Sequence, residues 1–111
     1  MKQNYFEHIE NIVKAGEFLV ERCKSEQDDF AKKTILISLI RIEGLLDTGR
    51  TLVSPDEYGE GGLKEINKGM DEIRSGIVEI MKDLGRGEVE SLLLSLSNSV
   101  KTNFFRAIWK D

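Results

Sequence analysis

Residues 62–84 carry the feature that most constrains the fold, because their apolar side chains recur alternately three and four positions apart across three heptads. This spacing places them on one face of an α-helix, with lysine and acidic residues opposite. A helix with a single apolar stripe must bury that stripe against another element, so the pattern predicts a helical bundle. The repeating residues are Leu63, Ile66, Met70, Ile73, Ile77, Ile80 and Leu84.

Three glycines lie beside that stripe at intervals of seven residues, at Gly62, Gly69 and Gly76. Glycine inside a helix costs about 1 kcal/mol relative to alanine. We therefore predict that another helix approaches closely along these positions. The alternative is that the glycines lie on an exposed face and have no packing role.

Two more helices are predicted upstream, over 3–24 and 28–47. The first has a heptad-like stripe that includes Ile9, Gly16 and Cys23. A turn is expected between the two helices, where Ser25 followed by Asp28 resembles a helix N-terminal signal. A continuous helix is the alternative, because this stretch contains neither glycine nor proline.

The second predicted helix is apolar around most of its circumference, which is typical of a helix buried on several sides or in contact with a second molecule. Its isoleucine content makes a buried strand the competing interpretation. The length of the segment and the lack of any second strand-like segment favour the helix. Its apolar residues are Phe30, Ala31, Ile35, Leu36, Ile37, Leu39, Ile40, Ile42, Leu45 and Leu46.

The helical pattern is interrupted over 48–61, which is predicted to be the one long loop. A short helical turn is expected inside it, because Ser54–Glu57 has the form of a capping box with Pro55 at the first helical position. Gly85–Gly87 predicts a tight turn, with Gly85 at the C-cap of the preceding helix. A last helix is predicted over 88–110.

Together these elements predict an all-α fold, an antiparallel four-helix bundle that forms a single domain over 1–111. The apolar surface of the second and fourth helices exceeds what one small bundle needs to bury. We therefore expect a homodimer that associates through these two helices.

Composition limits the kind of partner. Sixteen basic and twenty acidic residues give a net charge of −4, which disfavours a general nucleic-acid binder. The single cysteine, Cys23, excludes an intrachain disulfide and is typical of a reducing compartment. No apolar run approaches the length of a membrane span, so we expect no membrane association and a cytoplasmic location.

Residue counts also speak against catalysis. His8 is the only histidine, so one chain cannot supply a pair of imidazoles for a metal. Cys23 lies on an apolar stripe, where burial is the usual outcome. Its only candidate base, His8, would lie about 22 Å away along the same helix. We therefore predict no enzyme activity, no cofactor and no metal site.

The residues that favour partner binding are Arg41, Phe105, Arg106 and Trp109. Arg41 is the one charge embedded in the apolar second helix, where its stem is expected to cover the core or its head to meet a ligand or partner. The other three lie in an aromatic and basic C-terminal segment, and aromatic residues and arginine are enriched at binding hot spots. Core packing is the competing role for these aromatic side chains.

Three functions are compatible with these patterns. The first is a non-enzymatic regulatory or structural protein that acts through protein–protein interaction. The second is a helical accessory subunit of a nucleic-acid-processing complex that contacts phosphates through six cations. The third is an enzyme with a composite site, built at a dimer interface from Arg41 and the loop carboxylates Glu57 and Glu60. The six cations are Lys32, Lys33, Arg41, Lys101, Arg106 and Lys110.

Overall fold

The computed structural model describes residues 5–53, 55–59, 61–94 and 108–109. The elements assigned within these ranges are all helical, which confirms the predicted all-α class. They are α1 (Tyr5–Lys24), α2 (Asp29–Gly49), a 3₁₀ turn (Arg50–Leu52), α3 (Pro55–Tyr58), α4 (Gly62–Leu84) and α5 (Arg86–Leu93). The three long helices α1, α2 and α4 pack pairwise against one another around a shared core and form a helical bundle.

The turn between α1 and α2 is present where the sequence predicts it, and the continuous helix is excluded. Asp28 has an extended backbone, and its carboxylate accepts a hydrogen bond of 2.9 Å from the Ala31 amide. This is the geometry of an N-cap. The sequence-based interpretation of Ser25 as part of the start signal is wrong, because the Ser25 hydroxyl donates to the Arg22 carbonyl at the end of α1.

The predicted loop 48–61 contains more regular structure than its glycines indicate. Helix α2 continues to Gly49, and the 3₁₀ turn follows it directly. The predicted short helical turn is confirmed, because α3 begins at Pro55. Ser54, the proposed cap, lies outside the described residues.

One side chain of α3 holds this connection against the bundle. Tyr58 is buried, and its hydroxyl donates a hydrogen bond of 2.8 Å to the Arg50 carbonyl. Its ring meets Phe6 of α1 edge to face, with 5.8 Å between the ring centroids. The connection between α2 and α4 is therefore tied to the first turn of α1.

The turn before α5 is shorter than predicted. Of the three residues 85–87, only Gly85 adopts a positive φ, of 92°, and its amide donates to the Met81 carbonyl at the end of α4. Its C-cap role is confirmed. Arg86 and Gly87 already belong to α5, so the predicted three-residue turn and the helix start at position 88 are both corrected. Residues 95–107 of the predicted last helix lie outside the described residues.

Helices α1 and α4 run parallel and touch through complementary heptads. Phe6, Val13 and Val20 of α1 face Gly62, Gly69 and Gly76 of α4 in the same order. A Cβ added at Gly76 would lie 2.5 Å from Cγ2 of Val20, and one at Gly69 would overlap Val13. The predicted close approach along these glycines is therefore confirmed.

A fourth glycine, Gly16, lies on α1 and receives side chains from α4 and α2. A Cβ at Gly16 would lie 2.5 Å from Cδ1 of Ile73 and 3.3 Å from Cγ2 of Ile42. Further along, Ile9 of α1 lies beside Gly49 of α2, so α1 and α2 run antiparallel. The contacts at Gly16 and Gly49 are possible because glycine has no side chain, and they allow the three helices to pack closely.

Alanine at Gly76 is expected to destabilise the fold although alanine is the better helix former. The new methyl would collide with the stiff, β-branched Val20, which we expect to cost about 1–3 kcal/mol of unfolding free energy. Urea unfolding followed by circular dichroism measures this loss. Gly87→Ala is the matched control, because a Cβ there meets nothing within 4 Å, and it should be neutral or stabilising. Equal effects of the two variants would contradict the packing role.

Candidate interaction surface on helix α2

Helix α2 divides its apolar residues between two faces. One face lies in the core, where Leu36 and Leu39 are fully buried. The opposite face leaves Phe30 78% and Leu45 60% exposed. Helix α2 is apolar around most of its circumference, but α1 and α4 cover only one side of it.

The residues on the outward side of α2 have a regular spacing. From Phe30 to Thr48 six of them recur at intervals of four, three, four, three and four positions, which is the spacing of a heptad seam. Together with Leu45 they span an arc of about 100° on the helix. We call this set the α2 outer face; its residues are Phe30, Thr34, Ile37, Arg41, Gly44, Leu45 and Thr48.

One hydroxyl of this face and one beside it form hydrogen bonds within the helix. The Thr34 hydroxyl donates to the Phe30 carbonyl, and the neighbouring Ser38 hydroxyl donates to the Thr34 carbonyl, each at 3.0 Å. A Cβ added at Gly44 would meet nothing within 4 Å. The face therefore presents apolar side chains, with open space beside Gly44.

Arg41 lies in the centre of this face and is exposed. Among the described residues it forms no ion pair, whereas Glu43 binds Arg74 of α4 at 3.0 Å. Glu43 is thus directed toward α4 and not along the face that carries Arg41. Arg41 thus places an exposed positive charge among the outer apolar side chains.

The other cations predicted on α2 are engaged with carboxylates. Lys32 lies 2.6 Å from Asp83 of α4, and Lys33 lies 2.5 Å from Glu88 of α5. Hydrogen bonds to these carboxylates raise the pKa of both lysines. The two ion pairs connect α2 to the α4–α5 corner. Of the remaining cations proposed for phosphate contact, Lys101, Arg106 and Lys110 lie outside the described residues.

The predicted C-terminal binding residues are only partly described. Trp109 is half-buried and packs, with Ile108, against the hydrophobic core. Phe105 and Arg106 lie outside the described residues. The structure thus gives Arg41 and Trp109 different environments, one exposed and one packed inward.

A groove between α1 and α4 was not foreseen from the sequence. It encloses about 890 Å³, and most of the charged residues along it are acidic. The signal was present in the heptad spacing of Glu72 and Glu79 and the four-residue spacing of Glu17 and Glu21, all of which line the groove. The sequence did not show that these two helices are neighbours.

Cys23 lies at one end of this groove and is buried. Burial raises the pKa of the Cys23 thiol; the nearby Lys32 opposes this shift, and Asp83 adds to it. The predicted burial is confirmed. A thiol in this state is a poor nucleophile, because the thiolate is the reactive form.

Neither a metal centre nor a membrane span is found in the part of the chain that the structure describes. No three of its histidine, cysteine and acidic side chains are grouped so that they could hold a metal ion. None of its helices combines the length and the apolar character that crossing a bilayer requires.

Comparison with protein-family models, with curated proteins and with solved structures finds no significant match to this chain.

The buried thiol predicts how stability depends on pH. The unfolded chain loses its thiol proton near pH ~8.5, whereas the folded chain retains it to higher pH. Stability from this group is complete below that pH and falls as the pH rises toward the folded pKa. Urea unfolding at about pH 7.5 and about pH 9.5, on either side of that value, should show a loss in the wild type that is smaller in Cys23→Ala. An equal pH dependence in the two proteins would contradict this prediction.

The packing of Trp109 predicts a stability effect for its removal. Trp109→Ala should lower the free energy of unfolding by about 1–3 kcal/mol, because a large side chain leaves a partly buried site. Thermal or urea unfolding measures the loss. Unchanged stability together with weaker self-association would instead assign Trp109 to a partner surface.

Proposed function

We propose that the protein is a non-enzymatic helical-bundle protein that acts through protein–protein interaction, and that its first partner is a second copy of itself. The observation that carries this proposal is the α2 outer face, where Phe30 and Leu45 stay exposed on either side of Arg41. The proposed dimer uses α2 and the predicted helix 88–110, which would also complete the four-helix bundle. The α2 contribution is the part that rests on described residues.

Burial of this face would be favourable. Each square ångström of apolar surface removed from water contributes roughly 25 cal/mol, and Phe30 and Leu45 still expose most of their surface. Aromatic residues and arginine are also the types that dominate binding energy at interfaces. The face therefore has an apolar contact area and a central charge that can select the partner.

The charge distribution favours a protein partner over a nucleic acid. Two of the six cations proposed for phosphate contact, Lys32 and Lys33, are bound to Asp83 and Glu88. Most of the charged residues that line the groove between α1 and α4 are carboxylates, which repel phosphate. The accessory-subunit hypothesis thus has no described basic face to support it.

The proposed setting is the cytoplasm. The lone Cys23 is buried as a free thiol, which suits a reducing compartment. No intrachain disulfide is needed to hold the three packed helices together.

The proposal is tested by light scattering on a sizing column, which gives the mass of the protein in solution. Ultraviolet absorbance in the same run shows whether nucleic acid elutes with it. We expect a dimer free of nucleic acid. The double variant Phe30→Glu/Leu45→Glu should shift it toward monomer, because two buried carboxylates would oppose association. A monomeric wild type contradicts self-association, and nucleic acid that elutes with the protein supports the accessory-subunit hypothesis instead.

The matched control is Phe18→Glu on α1. Phe18 is 65% exposed, close to Leu45 in this respect, but lies on a different helix. The control should leave the dimer intact, and circular dichroism should show that all variants keep their helices. Equal loss of the dimer in the control would mean that added charge, and not the α2 outer face, is responsible.

A further inference from the structure

We infer that two copies pair through their α2 outer faces in antiparallel orientation, with the two-fold axis crossing the outer face at the level of residue 39 along the helix. The inference rests on the self-association proposed above and specifies the orientation and register of that contact. Residue spacing, the size of facing residues, and charge support it independently.

The spacing of the α2 outer face is symmetric about residue 39. Phe30 and Thr48 lie nine positions before and after it, Thr34 and Gly44 lie five, and Ile37 and Arg41 lie two. Antiparallel helices related by a two-fold axis place such positions opposite each other. The face can therefore pair with its own copy in one register that uses all six seam positions.

The residues brought together in this register are complementary in size. Exposed Phe30 lies opposite Thr48 of the second copy, with exposed Leu45 one turn away. Thr34 lies opposite Gly44, where an added Cβ meets nothing in the single chain. Small residues facing each other let the two backbones approach, and the large ones then cover the ends of the contact.

Arg41 favours one of the two possible orientations. A parallel pair would place each Arg41 directly opposite the other, and like charges at close range repel. The antiparallel pair offsets the two Arg41 residues by about 6 Å along the axis. It places each Arg41 opposite Ile37, with the stem on apolar surface and the guanidinium free to reach water. The helix dipoles of two α2 helices also favour the antiparallel arrangement.

The flank of the contact carries opposite charges in this orientation. Lys33 lies six positions before residue 39 and Asp47 lies eight after it, so each Lys33 approaches the Asp47 of the other copy. Both residues also have partners within their own chain, Glu88 and Arg50. The intermolecular pair would extend these networks across the interface, as flanking charges do in coiled coils.

Thiol cross-linking in a Cys23→Ala background tests the register. Thr34→Cys and Gly44→Cys are made in separate chains that carry tags of different size. In the antiparallel pair the two thiols introduced by Thr34→Cys would be about 15 Å apart along the axis, whereas positions 34 and 44 face each other. We expect oxidation or a short thiol reagent to give several-fold more cross-linked dimer in the mixture than in either chain alone.

Thr48→Cys is the control for the opposite orientation. Its two copies would be about 27 Å apart along the axis in the antiparallel pair, but adjacent in a parallel one. Cross-linking of Thr48→Cys to itself, or equal cross-linking of Thr34→Cys alone and in the mixture, overturns the inference. Phe30→Cys with Thr48→Cys provides a second facing pair if Gly44→Cys disturbs dimerisation.

Failure of the inference can be told from failure of the proposed function. If light scattering shows a monomeric wild type, self-association itself is wrong. If the wild type is dimeric and Phe30→Glu/Leu45→Glu abolishes the dimer, but the facing thiols do not cross-link, only the orientation and register are wrong.

Discussion

The contact between α1 and α4 is the constraint on which the remaining structure depends. Valine and phenylalanine of α1 lie on glycines of α4 at three successive heptads, so the two parallel helices approach more closely than side chains would allow. Gly16 then admits Ile73 and Ile42 at the centre of the bundle. Because a methyl group added at Gly16, Gly69 or Gly76 would collide with the facing side chain, α1 can pack closely against α4 only while these positions are glycine. Helix α2 packs against both.

Close packing of three helices leaves α2 with more apolar surface than the core can cover. Its inner residues are buried, and Lys32, Lys33 and Glu43 connect it to α4 and α5 through ion pairs on its flanks. These flanking contacts fix the rotational orientation of α2 about its own axis. Phe30, Arg41 and Leu45 therefore face outward as a consequence of how the core is built.

Much of the fold could be predicted from local patterns, because helix periodicity, caps and turn residues act over a few positions. The stripe of α4, the turn at Asp28 and the C-cap at Gly85 are examples. The close glycine contact could be predicted, but its partner helix could not, because pairing between distant segments leaves no local signal. For the same reason the acidic groove and the ion pairs of Lys32 and Lys33 were missed, and two lysines were assigned to phosphate contact.

Part of the candidate surface, Arg41, could be predicted from the sequence. Arg41 was recognised because a charge in an apolar helix needs an explanation, but one sequence could not show which apolar neighbours would stay outside the core. Exposure of Phe30 and Leu45 supplies that missing information. Since the core residues of α2 lie on its inner side, the outer face can be changed with little effect on the fold, so association and folding can be measured separately.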